Sequence, residues 1–264
     1  MDSLFRETIQ ITQAAGQAVM RYYNDSYSVR DKSPDNPVTD ADLAADSLLK
    51  ERLRQLIPEA GWLSEETTDS RTRLEKRLVW VVDPVDGTKE FVLGIPEFSI
   101  SVALVEDGVP IIGVIFNPAL GELFASLRGH GIKLNGHPVR VSDRTQLEGA
   151  RIDASRSERK RGEFKPFEGL LQIQTMGSIA FKLARVSAGL VDATWSRGPK
   201  NEWDICAGVC LIEEAGGRIV DLDNEPLTFN RPYPKVNGII ATNGLLHDQV
   251  IASLLPYRDS ARVD

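Results

Sequence analysis

The chain has 264 residues, 42% hydrophobic and 26% charged, with 31 Lys and Arg against 38 Asp and Glu for a formal net charge of −7. Such a composition excludes a disordered or fibrous chain, and the acidic balance argues against a binder of nucleic-acid polymers, which needs a basic surplus. The length suffices to bury a large core, as one broad domain or as two intimately packed halves.

Asp2, Arg6 and Glu7 break up the N-terminus where a signal peptide would need an apolar run. The uncharged stretch over residues 109–121 is too short to span a bilayer, so the expectation is a cytoplasmic protein with no membrane partner. Good helix formers over residues 3–23 predict a first helix. A second is predicted over 40–56, where Ala45, Leu49, Leu53 and Leu56 fall on one stripe, with Thr39 or Asp40 as cap. Continued backward, that stripe reaches Asp42, an acid facing inward along an apolar side, where it needs a partner.

The period then changes. Residues 78–82 form an apolar β run, and 98–105, 110–116 and 122–127 follow with turns at Asp107-Gly108 and 118–121, which reads as an antiparallel meander. Beyond about Val141, strands over 151–154, 191–195, 218–221 and 238–242 alternate with helices over 178–188, 203–215 and 245–255, the mark of an α/β layered half. The predicted architecture is two packed subdomains, α+β over 1–145 and α/β over 146–264. Cys206 and Cys210, four apart in an apolar segment, read as reduced thiols in a helix core. His130, His137 and His247 share no metal-binding spacing and read as surface residues.

The most informative segment is Val82-Asp83-Pro84-Val85-Asp86-Gly87-Thr88. A strand ends at Asp83, Pro84 stops its hydrogen bonding, and Asp86-Gly87-Thr88 has the chemistry of a helix start, with peptide N–H groups suited to an anion such as phosphate. Two carboxylates about 4 Å apart repel by roughly 4 kcal/mol at an effective dielectric near 20. A divalent cation resolves that conflict, and hard oxygen ligands beside phosphate point to Mg²⁺. The plainer alternative is that Asp86 is a helix cap and Asp83 a turn residue.

Asp83-Pro84-Val85-Asp86-Gly87-Thr88 resembles the metal signature of the inositol monophosphatase superfamily. Three further elements resemble it as well: Pro37-Val38-Thr39-Asp40-Ala41-Asp42, Ser64-Glu65-Glu66-Thr67, and Trp203-Asp204 opening a helix that ends at Glu214-Ala215-Gly216-Gly217. They lie in order from residue 37 to 217, so the resemblance covers essentially the whole chain. It implies an α/β (α+β) layered αβαβα sandwich of the inositol monophosphatase/fructose-1,6-bisphosphatase type. It also implies two or three Mg²⁺ ions held by Glu65, Asp83, Asp86, Asp204 and the Val85 carbonyl, with Asp42 and Thr88 orienting and deprotonating a water. The Gly87 and Thr88 N–H groups would bind phosphate oxygens. The implied activity is hydrolysis of the phosphate monoester of a small metabolite without a covalent intermediate, with Li⁺ sensitivity and a homodimer carried by analogy. Asp204 alone would also pass as a helix cap.

Lys89-Glu90-Phe91 and Ala154-Ser155-Arg156-Ser157 resemble the 3'(2'),5'-bisphosphate nucleotidase (CysQ-like) branch, which acts on substrates such as 3'-phosphoadenosine 5'-phosphate. Where that branch usually continues with His, this chain has Glu158. The basic run Arg156, Arg159, Lys160 and Arg161 either meets a second phosphate or is a solvated loop. Gly177-Ser178 either turns free N–H groups toward substrate or is an ordinary cap, and Lys200 either neutralises substrate charge or solvates a loop with Glu202. An inositol-1-phosphate phosphatase is the alternative on the same metals. A histidinol-phosphate phosphatase fits less well because Trp203-Asp204 is retained, and retention of all six proposed positions disfavours a silent phosphosugar-binding homologue.

Overall fold

Two long helices and one seven-stranded sheet make up most of the first half of the chain. The computed structural model describes residues 1–23, 25–33 and 36–257. Helix α1 (Asp2–Met20) lies against α2 (Asp40–Leu56), and between them in sequence runs a small antiparallel ribbon of β1 (Val29–Ser33) and β2 (Asn36–Thr39). Ala45, Leu49 and Leu53 of the predicted stripe are fully buried. Thr39 is the cap: its hydroxyl accepts the Ala41 N–H at 3.2 Å, while Asp42 accepts the Thr39 N–H at 2.8 Å, closing a capping box.

β3 (Gly61–Ser64) pairs in parallel with β4 (Leu78–Asp86). After the short α3 (Thr88–Val92), the predicted meander runs through β5 (Ser99–Glu106), β6 (Val109–Asn117) and β7 (Glu122–Leu127), and continues into β8 (Ile132–Leu134) and β9 (His137–Val139), giving a seven-stranded sheet. Its central strands are buried on both faces. Trp80, Val82, Ile100, Val102 and Val114 pack under α1 and α2, while Val79, Val81, Ala103 and Ile115 join a second core on the opposite face.

The second half supplies that opposite layer. In order it contains β10 (Arg151–Ala154), α4 (Arg156–Lys160), β11 (Gln172–Thr175), α5 (Ile179–Ser187), β12 (Ala193–Ser196), β13 (Lys200–Asn201), α6 (Glu202–Glu214), β14 (Arg218–Val220), β15 (Lys235–Val236), β16 (Ile239–Thr242) and α7 (His247–Leu254). A five-stranded mixed sheet has the order β11-β10-β12-β16-β14. Helices α5 and α6 sit between the two sheets, and α7 with Phe164 and Phe167 covers the far face, where Phe164 stacks on Trp195 at 5.0 Å. The layers therefore alternate helix, sheet, helix, sheet, helix, as the family resemblance implies.

Helix α6 has no polar face over Ile205–Ile212 because both sides meet protein. Small residues let it approach closely. A Cβ on Gly113 would lie 2.6 Å from the Ala207 carbonyl oxygen, and one on Gly208 would lie 2.4 Å from the Leu183 side chain. Cys206 and Cys210 are buried free thiols in this helix, as expected, and burial pushes Cys210 up to about 12, which keeps it unreactive.

Two expectations need correction. The basic run from Arg156 is not a loop but α4, capped by Ser155, whose N–H donates to Glu158 at 2.7 Å. His247 is not on the surface: it is 2% exposed, with Nε2 2.8 Å from Asn224 Oδ1, because α7 sets its first turn against the 221–225 turn. His130 and His137 are exposed. Among the described residues, no helix is long and apolar enough to cross a membrane.

Candidate active site

β4 follows its ladder with β5 as far as Asp83, and then the register slips between Asp83 and Asp86, with Pro84 in the irregularity. Freed from the ladder, the Val85 N–H donates to Asp83 Oδ1 at 3.0 Å. Gly87 then turns the chain into α3 at φ 97°, and a Cβ there would lie 2.9 Å from the Glu97 carbonyl oxygen, so the turn needs glycine. This turn presents Thr88. Its Oγ1 is 3.0 Å from both Asp42 Oδ1 and the Val85 carbonyl oxygen.

Asp42 is thereby drawn into the site from α2. It is 1% exposed, and its Oδ2 receives the Thr39 hydroxyl at 2.5 Å as well as the Thr39 N–H. Burial pushes its pKa up, hydrogen bonds from Thr39 and Thr88 pull it down, and Glu65 pushes it up again, for a net rise. The inward acid thus has its partner in the threonine of the signature.

Glu65 arrives from the end of β3, with its N–H on the Val82 carbonyl at 3.3 Å. Asp204 arrives from the first turn of α6, where its Oδ2 accepts the Asn201 N–H at 2.9 Å. Asp204 does cap its helix, and it also faces the other acids: one carboxylate oxygen each of Glu65, Asp83 and Asp204 lie within 4.8 Å of one another. Asp86 lines the same cleft from the other side. Its Oδ2 accepts the Ser178 hydroxyl and the Ala180 N–H, each at 2.6 Å, so the N-terminus of α5 holds it in place.

These acids strain one another. Burial first, and the neighbouring carboxylates second, push Asp83 well above the carboxylate range and Asp204 up to about 8. Burial also raises Asp86, to about 6, against the pull of its Ser178 and Ala180 hydrogen bonds. Ionising all of them together requires a cation. Carboxylate oxygens and the Val85 carbonyl, with no sulfur or imidazole among them, form a donor set suited to a hard divalent ion. The cleft has a volume of ≈ 270 Å³ and is lined by Glu65, Asp83, Val85, Asp86, Gly87, Thr88, Ser178, Lys200 and Asp204. A larger, mainly apolar groove between α1 and β7 holds none of the acids.

The substrate-side residues divide. Lys200 lines the cleft, and burial lowers its pKa against the opposing pull of Glu158. Gly177 has no free N–H to offer: it donates to Glu97 Oε2 at 2.8 Å, in a fit so close that a Cβ would meet Glu90 Cγ at 2.5 Å. Ser178 is turned onto Asp86, and its Oγ accepts the Phe181 N–H at 3.0 Å. The Arg156 guanidinium is outside the cleft lining, held by Glu97 at 2.5 and 3.2 Å and by Glu90 at 3.3 Å.

Two supporting residues went unseen in the sequence, and a third, Ser178, was read there in another role. Asp46 accepts the Ser64 and Thr67 hydroxyls at 2.5 and 2.8 Å, bracketing Glu65; its signal was its place one turn beyond Asp42. Buried Lys182, the odd charge on an apolar helix, pairs with Glu158 at 3.2 Å. The tie of Ser178 to Asp86 had no sequence signal beyond a possible cap.

The sequence profile of the inositol monophosphatase family matches residues 1–258. "Nus factor SuhB" of Xylella fastidiosa is 35% identical over 81% of this chain and 80% of its own length. "3'(2'),5'-bisphosphate nucleotidase CysQ" of Aggregatibacter actinomycetemcomitans is 33% identical over 89% of this chain and 90% of its own. Among solved structures, the Thermotoga maritima IMPase matches with a TM-score of 0.87 and 31% identity, covering 99% of this chain and 100% of that one.

Proposed function

The chain belongs to the inositol monophosphatase family, whose members are phosphoric monoester hydrolases, and on that premise we propose that it is an Mg²⁺-dependent phosphatase acting on a 3'(2'),5'-bisphosphate nucleotide such as 3'-phosphoadenosine 5'-phosphate. The observation that carries the site assignment is the convergence of Glu65, Asp83 and Asp204 within 4.8 Å, next to the Thr88–Asp42 hydrogen bond.

Glu65, Asp83, Asp86, Asp204 and the Val85 carbonyl would hold two or three Mg²⁺ in this reading, and such ions would supply charge neutralisation for the phosphoryl group and leaving group and acidification of a water. Thr88 donates its proton to Asp42 and so keeps a lone pair free to accept a hydrogen bond from the attacking water. Asp42, its basicity raised by burial, takes up the proton through that hydroxyl. The Gly87 and Thr88 N–H groups hold the equatorial oxygens, and Lys200 faces the substrate's further charge.

Lys89-Glu90-Phe91 and Ala154-Ser155-Arg156-Ser157 support the nucleotide substrate. An inositol-1-phosphate phosphatase is the second reading, favoured by the capture of Arg156 by Glu97 and Glu90 and by Glu158 where the nucleotidase branch has His. A phosphate-release panel with Mg²⁺, with and without Li⁺, tests both. It covers 3'-phosphoadenosine 5'-phosphate, inositol 1-phosphate, fructose 1,6-bisphosphate and histidinol phosphate. Fastest release from the nucleotide supports the proposal, fastest release from inositol phosphate replaces it with the second reading, and no Mg²⁺-dependent release from any removes the catalytic assignment. Li⁺ inhibition, a homodimer and a cytoplasmic location belong to the same proposal; the panel reads the first, and light scattering the second.

A further inference from the structure

Behind the Glu65 segment, on the side of α2, lies a second pocket of ≈ 300 Å³ with the opposite electrostatic character. Lys50 and Arg54, one turn apart on α2, and Lys76 line it, and none of the three makes an ion pair among the described residues. Glu59 is the only acid in its lining. On a chain of net charge −7, these three cations make the concavity locally positive.

The concavity is built rather than incidental. Arg73 forms part of its wall and is 1% exposed, with its guanidinium fixed by Asp69 at 2.7 and 2.9 Å, Asn230 Oδ1 at 2.7 Å and the Arg231 carbonyl at 3.0 Å. A Cβ on Gly61 would lie 2.9 Å from Arg73 Cβ, so glycine lets this wall close onto β3. Ser70 and Thr72 bring their hydroxyls together at 2.9 Å on the same lining.

We propose that this pocket is a second anion site, taking a phosphate group through Lys50, Arg54 and Lys76 with the Ser70 and Thr72 hydroxyls on the same lining. It is separate from the catalytic cleft and does not rest on the phosphatase reading. The phosphate group is either free phosphate or part of a phosphorylated metabolite.

Isothermal titration of the metal-free protein in EDTA with inorganic phosphate, and separately with glycerol 3-phosphate, tests this. One saturable site in the millimolar range or tighter is expected, weakened about tenfold or more in the Lys50→Ala/Arg54→Ala double variant and unchanged in Lys200→Ala, which alters only the cleft. Tighter binding of glycerol 3-phosphate supports a metabolite as the source; equal or tighter binding of inorganic phosphate supports the free ion. With Arg54 exposed and Lys50 half-buried, the double variant should keep Mg²⁺-dependent turnover, which checks its folding. Absence of saturable binding, binding indifferent to Lys50 and Arg54, or binding lost in Lys200→Ala overturns the proposal.

Discussion

The acids that line the cleft and the buried acids around the five-stranded sheet have been given opposite environments. Glu158 and Asp192 each have a cation within 3.2 Å, Lys182 and Arg151, and both are held below the usual carboxylate range. For Glu158, burial alone would raise the pKa, but Lys182, Lys200 and the Ser155 N–H override it and leave it at about 2. Asp204, buried to a similar end, is driven up to about 8 by the carboxylates around it. Hydrogen bonds position the cleft acids without neutralising them. The contrast separates charges that the fold completes by itself from charges left for something bound.

Removing one charge from each region should therefore have unlike consequences. Asp83→Asn is expected to lower phosphate release by roughly a thousandfold or more, several kcal/mol of transition-state stabilisation. In EDTA its melting temperature should equal or exceed that of wild type, because a repelling carboxylate is gone. Melting well below wild type would make Asp83 a structural acid and erase the contrast. Lys182→Ala should do the reverse, with Glu158 left buried and unpaired at a cost of about 3–5 kcal/mol by urea denaturation. The Lys182→Met/Glu158→Gln pair should recover much of that loss, and failure to recover would mean that more than charge holds this corner together.

The two regions should also answer pH with opposite signs, on the order of a few kcal/mol each. Glu158 has a depressed folded-state pKa, so its contribution is present above about 4.5 and lost as pH falls toward about 2. Asp86 and Asp204 have raised values of about 6 and about 8, so metal-free protein should lose stability as pH rises from roughly 4 through 8. Mg²⁺ should flatten that second slope. Denaturation series with EDTA and with Mg²⁺ measure both, and an EDTA slope that Mg²⁺ leaves untouched would place the cation elsewhere. The smallest effect expected is that of Ser178→Ala, which removes one of the two hydrogen bonds on Asp86 Oδ2 and should cost about tenfold in turnover and in apparent Mg²⁺ affinity. Equal activity would show that Ala180 alone positions Asp86.

What was legible in the sequence was contiguous. Asp83 through Thr88 lie in one strand-to-helix turn, and Asp42 announced itself as the polar member of an apolar stripe. The long elements were equally visible because nine-residue β4 and seventeen-residue α2 repeat their pattern enough times to be read. Strands β8, β9, β13 and β15, of two or three residues, offered no period to detect. The substrate side was hidden for a different reason. Arg156 meets Glu97 across 59 positions and Ser178 meets Asp86 across 92, and nothing local in the chain signals such partners. The basic run consequently looked available when its first guanidinium was already engaged, and His247 looked superficial because its cover comes from a distant turn.

Helix α6, wedged between two sheets with Asp204 at its tip, sets the terms on which this architecture can diversify. Where its backbone rests on Gly113 and its flank on Leu183, a single added methyl group has no room, and any displacement is transmitted along a rigid rod to the acid at its end. On the peripheral α4 the restriction is confined to the inner face, where Glu158 meets Lys182, while Ser157, Arg159 and Lys160 are exposed. Sequence drift therefore has open territory on that outer face, whereas the buried glycines form a border that descendants of this sequence cross only by shifting Asp204.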